Sequence, residues 1–215
     1  MRREMIETYI RKLSSAFGGI RPPVKKERLL ELHTKKDFTG MVGFIRTTLS
    51  LDDIRMRVGL VTAGGLAGNI PAWVSFPNPM PIYATPAFKH TLVTIFLRKA
   101  FLNQRPFEMV VVAIAHELSH IVLEAIGHTL MKKEEAVDIT AMLFGYRNFY
   151  RVGCRMVDTE PIGSQSFFQK QMNSVLDYIF EKRSATYFYH VGDLTYEEVQ
   201  FAAELMDRGL GTNRF

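Results

Sequence analysis

Two histidines four residues apart, with a glutamate directly after the first, form the segment His116-Glu117-Leu118-Ser119-His120. Residues four apart on an α-helix sit one turn above each other on the same face, so both imidazoles project toward a common point and can chelate one zinc ion. Glu117 leans over the same point, where a carboxylate can take a proton from metal-activated water and later deliver it to a leaving amine. The flanking Ala113, Ile114, Ala115, Leu118, Ile121 and Val122 carry no charge and suit a buried helix around such a site.

A catalytic zinc site needs a third protein donor and an open position for water. In Lys133-Glu134-Glu135-Ala136-Val137-Asp138, Glu134 and Asp138 are four apart and share one helix face. Glu134 is the expected third ligand, and Asp138 is expected to hydrogen-bond a liganding histidine. Glu135 lies about 100 degrees around the helix and is the alternative donor, because only one of the two can point inward. His128 also competes, as in metzincins. That pattern, however, needs glycine three residues after the second histidine and histidine three further on, where this chain has Leu123 and Ile126. His128 therefore reads as a cap or surface residue.

The elements that must position these groups follow from periodicity and punctuation. Gly18-Gly19-Ile20-Arg21-Pro22-Pro23 should break a first helix from the rest and leave it loosely packed or mobile. Helical spacing runs from Glu27 to Leu51. Between Met56 and Thr85, alternation at Met56, Val58 and Leu60, turn residues Gly64, Gly65, Gly68 and Asn69, and short strands at 72–76 and 82–84 predict a small antiparallel sheet. Thr85-Pro86 starts a helix expected to run to about Leu102, and Pro106 with Glu108 opens the motif helix, which Gly127 closes. Further helices are expected at about 132–151, 166–183 and from Thr195, whose capping box Glu198 completes.

A chain of 215 residues, 47% hydrophobic and 23% charged, can bury a real core. The single Cys154 makes no internal disulfide, as suits a reducing compartment. The longest apolar run, Met109 to Ile126, contains His116, Glu117, His120 and Glu124 and predicts no membrane span. Glu4, Glu7, Arg11 and Lys12 interrupt any secretory core, so the expected location is cytoplasmic. The net charge of +5 is scattered, with Lys25, Lys26 and Arg28 and the pair Lys132 and Lys133 as its dense spots, so no nucleic-acid partner is expected. Oligomeric state is not legible.

With His116-Glu117-Leu118-Ser119-His120 followed by Glu134 and Asp138, the chain resembles the gluzincins, the metallopeptidase group that includes thermolysin. The run from Pro71 to Pro77, then Ile82 to Thr85, then Phe107-Glu108 leading into the motif, is similar in order to the heat-shock and prenyl-protein endopeptidase branch and to soluble minigluzincins. The resemblance covers about 59–146. It departs at Ala72, where that branch typically has asparagine, and in the absence of membrane-embedded segments.

The resemblance implies an α+β fold, a mainly helical zincin-like metallopeptidase domain with a small antiparallel sheet packed on the active-site helix. Its domain would span 55–215, after a helical region at 1–54. It also implies that Trp73, Val74 and Ser75 offer backbone groups to a peptide or protein substrate by strand addition. A transition-state stabiliser would lie C-terminally, where Tyr187, Tyr189 and His190 cluster, and His190 is the expected donor. The expected function is that of a zinc-dependent endopeptidase holding one Zn2+, with Glu117 as general base and acid. The alternative is a metal-binding regulatory or stress-sensing module on the same scaffold.

Overall fold

Ile6, Ile10 and Leu13 recur at helical spacing, and in the computed structural model they form the fully buried face of a first helix, α1 (Arg2–Phe17). The structure describes residues 2–62, 70–161, 184–190 and 192–210, with the backbone alone for 155–161 and 184–190. The glycine-proline break after α1 exists, yet it does not leave the helix loose. Beyond it, Arg21 N–H donates to the Leu143 carbonyl at 2.8 Å and Val24 N–H to the Gly145 carbonyl at 2.9 Å, which ties the connection down.

Two short helices follow, α2 (Lys26–Thr34) and α3 (Phe38–Thr48), the second capped by the Asp37 carboxylate, which accepts from Gly40 N–H. Next come strands β1 (Arg55–Val61) and β2 (Ala72–Ser75), a one-turn helix α4 (Pro86–His90), strand β3 (Leu92–Arg98) and helix α5 (Lys99–Gln104). The expected Thr85 cap is present, its hydroxyl accepting from Phe88 N–H with Pro86 at the first helical position. The helix does not run on to Leu102, however. Thr91 is already extended, and Leu92-Val-Thr-Ile-Phe-Leu alternates with Val93, Ile95 and Leu97 buried. That period-two pattern of β-branched and aromatic residues is a strand pattern.

The sheet is mixed rather than antiparallel: β3 lies in the middle, parallel to β1 and antiparallel to β2. The expected strand at 82–84 is a turn, with Ala84 at φ +64° and Tyr83 N–H donating to the Ala125 carbonyl. The glycine-rich turn expected at 64–69 lies outside the described residues.

Helix α6 (Phe107–Ala125) carries both histidines and is apolar nearly all round, which is why it is buried among α2, α3 and β2. Gly127 (φ +61°) ends it as expected. Gly127 N–H donates to the Glu124 carbonyl and His128 N–H to that of Leu123, the Schellman pattern. Helix α7 (Glu134–Ala141) then packs beside α6. It gives way to a π-helical turn at Met142–Tyr146 and to α8 (Arg147–Gly153), so the single helix expected at 132–151 is broken. The reason is Gly145 (φ +103°): a Cβ there would lie 2.4 Å from the Pro22 carbonyl oxygen, where the α1–α2 connection presses in.

Backbone contacts divide the chain into one unit of Met1–Cys154 with Val191–Phe215 and a second of Arg155–His190. The second contains an antiparallel ladder of β4 (Arg155–Pro161) and β5 (Ser184–His190), with Arg155 opposite His190. The helix expected at 166–183 lies outside the described residues. The first unit ends with α9 (Tyr196–Asp207), whose Thr195–Glu198 capping box is present in both directions. The described chain is thus α+β, mostly helical, with a small three-stranded mixed sheet.

Candidate metal centre

His116 and His120 stand one turn apart on α6, their ring centroids 5.0 Å apart. The Schellman turn and the backbone turns at 128–133 send the chain back, so that Glu134, the first residue of α7, reaches over both rings. Its Oε2 lies 3.4 Å from His116 Nε2 and 3.3 Å from His120 Nε2, and the three donor atoms all fall within 4.8 Å of one another. Two donors about 2.0–2.1 Å from one tetrahedral zinc lie about 3.3–3.4 Å apart, so this group could hold such an ion. Glu135 is turned elsewhere, toward the Arg2 guanidinium at 4.0 Å, so of the two glutamates it is Glu134 that stands beside both histidines. His128 takes no part, its Nδ1 accepting from Leu130 N–H in the turn.

Behind His116, one turn along α7 from Glu134, Asp138 is 1% exposed. Its Oδ1 pairs with His116 Nδ1 at 2.8 Å and accepts from the Tyr150 hydroxyl at 3.0 Å. Its Oδ2 accepts from the backbone N–H groups of Asp193 (2.7 Å) and Leu194 (3.0 Å). With a proton on Nδ1 donated to Asp138, His116 turns Nε2 toward Glu134, so an ion that displaced the Nε2 proton would find the lone pair aimed at it. Gly192 (φ +90°) lets this loop approach, because a Cβ there would sit 2.5 Å from Asp138 Oδ1. Tyr150 and the 192–194 loop carry no sequence signal that would have found them. One lies beyond the π-helical turn, and the other acts through backbone groups more than fifty residues away.

The electrostatics follow from this crowding. Burial works to lower the His116 imidazole, but the hydrogen bonds to Asp138 and Glu134 raise it to about 10. Burial and the His116 charge push His120 down, against Glu134. Burial raises Glu117 most. His116 opposes the shift, Glu134 adds to it and a hydrogen bond from the Val74 backbone resists it, leaving the carboxyl at about 7. A carboxyl poised near neutral pH is matched to both taking and giving a proton. Burial pushes the Tyr150 phenol well above its ordinary range, with Asp138 beside it adding to the rise, so it serves as a donor.

Of the expected substrate strand, Trp73, Val74 and Ser75 all lie in β2, an edge of the sheet next to α6. The side chain of His190 lies outside the described residues, as do those of Tyr187 and Tyr189; their backbone belongs to β5. Among the described residues, no helix is long and apolar enough to cross a membrane. No model of a known family matches this chain, and no curated protein or solved structure matches it significantly.

Proposed function

We propose that this protein is a zinc-dependent endopeptidase of the gluzincin type, with His116, His120 and Glu134 as ligands and Glu117 as general base and acid. The observation that carries the reading is the pair of 3.3–3.4 Å separations from one Glu134 oxygen to the two Nε2 atoms, the spacing of donors around one tetrahedral ion. When bound, zinc supplies Lewis acidity that makes water a nucleophile at neutral pH.

The chain's own residues supply the rest. Glu117 takes a proton from water in the cleft and returns it to the leaving amine. Asp138 holds the His116 ring in one tautomer and one orientation. The edge of β2 offers backbone groups to an extended peptide beside Glu117.

The test is metal analysis of the purified protein combined with digestion of an unstructured protein such as casein. The expected result is about one zinc per chain and hydrolysis that a chelator stops. Glu117→Gln should keep the zinc and lose at least about 100-fold in turnover, the usual share of general acid-base catalysis. Protein that binds no zinc, or a Glu117→Gln variant that cleaves like wild type, would remove the proposal.

A further inference from the structure

We propose that the outward ring face of Trp73 is a side-chain subsite that selects an aromatic residue in an extended peptide docked along the free edge of β2. The inference rests on the peptidase reading above and gives that site its substrate class.

The argument begins with a row of side chains across the sheet. In the register, Gly59 of β1, Phe96 of β3 and Trp73 of β2 stand opposite one another. The row lies on the face away from Val93, Ile95 and Leu97, which are buried. The Phe96 ring covers Gly59 so closely that a Cβ there would lie 2.7 Å from Phe96 Cδ1. On the other side Phe96 stacks on Trp73, with centroids 5.0 Å apart and planes within 18° of parallel. That separation matches the distance between neighbouring strands, about 4.7–4.9 Å, so the two rings stack along the direction in which strands are added. The far face of Trp73 is therefore directed past β2, and among the described residues no further strand lies there.

The backbone states where a peptide would lie. In an antiparallel ladder, successive residues point their N–H and C=O groups alternately toward each neighbour. Arg98 N–H of β3 donates to the Pro71 carbonyl at 3.0 Å, so by this alternation Trp73 bonds toward β3 and Val74 faces the free edge, where its backbone meets the Glu117 carboxylate. A peptide pairing at that edge has its backbone beside Glu117 where it passes Val74. Its side chain opposite Trp73 stands one residue along, at the next position of the same ring row. An aromatic side chain there continues the stack, whereas a small or acidic one leaves the indole face to water. Aromatic pairs of this kind change affinity by about 2- to 12-fold. The subsite thus places the preferred residue within one or two positions of the bond that is cut.

Trp73 is the only tryptophan of the chain, so its emission reports on this surface alone. Zinc-loaded Glu117→Gln protein, in which peptides bind without being consumed, is titrated with extended peptides that differ only in carrying Phe, Ala or Asp at one central position. The expected result is a saturable change in Trp73 emission, with the Phe peptide bound about 2- to 12-fold more tightly than the Ala peptide. In parallel, wild type, Trp73→Phe and Trp73→Ala digest the same unbiased peptide library. Wild type should cut next to aromatic residues, Trp73→Phe should keep that preference, and Trp73→Ala should cut without it. Equal affinity for the Phe and Ala peptides, or an aromatic preference unchanged in Trp73→Ala, overturns the subsite while leaving the peptidase standing. A library left intact by zinc-loaded wild type counts against the peptidase, and the emission titration still decides the subsite. If Trp73→Ala fails to fold, Phe96→Leu, which removes the ring behind Trp73, takes its place with the same expected weakening of preference.

Discussion

Asp138 accepts hydrogen bonds from four donors on three different segments, and an aspartate carboxylate offers about four acceptor positions. An asparagine would put an NH2 group where two donors already point, leaving at least one buried donor unpaired at about 1–3 kcal/mol. Asp138→Asn is therefore expected to weaken zinc binding about 10- to 100-fold, measured by competition with a chromophoric chelator. Tyr150→Phe deletes one donor and strands none, so its loss should be smaller, and an equal loss would contradict the hierarchy. Gly192→Ala forces a side chain both into a left-handed conformation and against the Asp138 carboxylate. It should lower both the melting temperature and the zinc affinity, since such backbone strain costs about 1–3 kcal/mol. At this scale, the histidine pair, Glu117, Glu134 and Asp138 were legible because helical periodicity of 3.6 converts spacing directly into direction. Tyr150 and Gly192 were not, because only the tertiary fold brings them to Asp138.

Among the elements, the helices with caps were readable and the central strand was not. Thr85-Pro86 does start a helix, but one turn later the alternating Val93, Ile95 and Leu97 take the chain through the middle of the sheet. Burial between two neighbours outweighed the local signal. The break at Gly145 was equally hidden, since its cause is the Pro22 carbonyl from another part of the chain. The α8–α9 contact makes a testable statement about pH. Burial raises the Asp207 carboxyl, but hydrogen bonds from Arg151 and Arg147, both 2.7 Å, outweigh it and hold the group below its usual 3.8. A folded value below the unfolded one means that the clasp adds stability above about pH 4 and loses it as the pH falls through the folded value. Melting curves between pH 2 and 6 should therefore show wild type above Asp207→Asn at pH 6, the two converging at the acid end. Asp207 is 41% exposed, so the gap should stay modest.

Over the whole molecule, the decisive question is whether α1 belongs to the core or is a detachable arm, as the glycine-proline sequence after it suggested. Ile6, Ile10 and Leu13 are each 0% exposed, and α1 packs against α7, the helix that supplies Glu134 and Asp138, and against α9. Its first turn reaches the same region, Arg2 Nε lying 2.6 Å from Glu198 and the Arg3 guanidinium 5.0 Å from the Phe201 ring. The connection behind it is fastened by Arg21, which donates to the Thr48 carbonyl and the Ser50 hydroxyl and stacks on Phe144 at 4.1 Å. An arm meant to leave would not bury three aliphatic side chains completely. Ile10→Ala should therefore cost about 2–5 kcal/mol by opening a cavity against this core. The same variant should weaken zinc binding through the loosened α7, whereas Leu30→Ala on the exposed face of α2, where Leu30 is 42% exposed, should change neither. Denaturant unfolding and chelator competition on the two variants measure both quantities. An Ile10→Ala protein with wild-type stability would show that α1 is an accessory to the centre rather than part of what holds it.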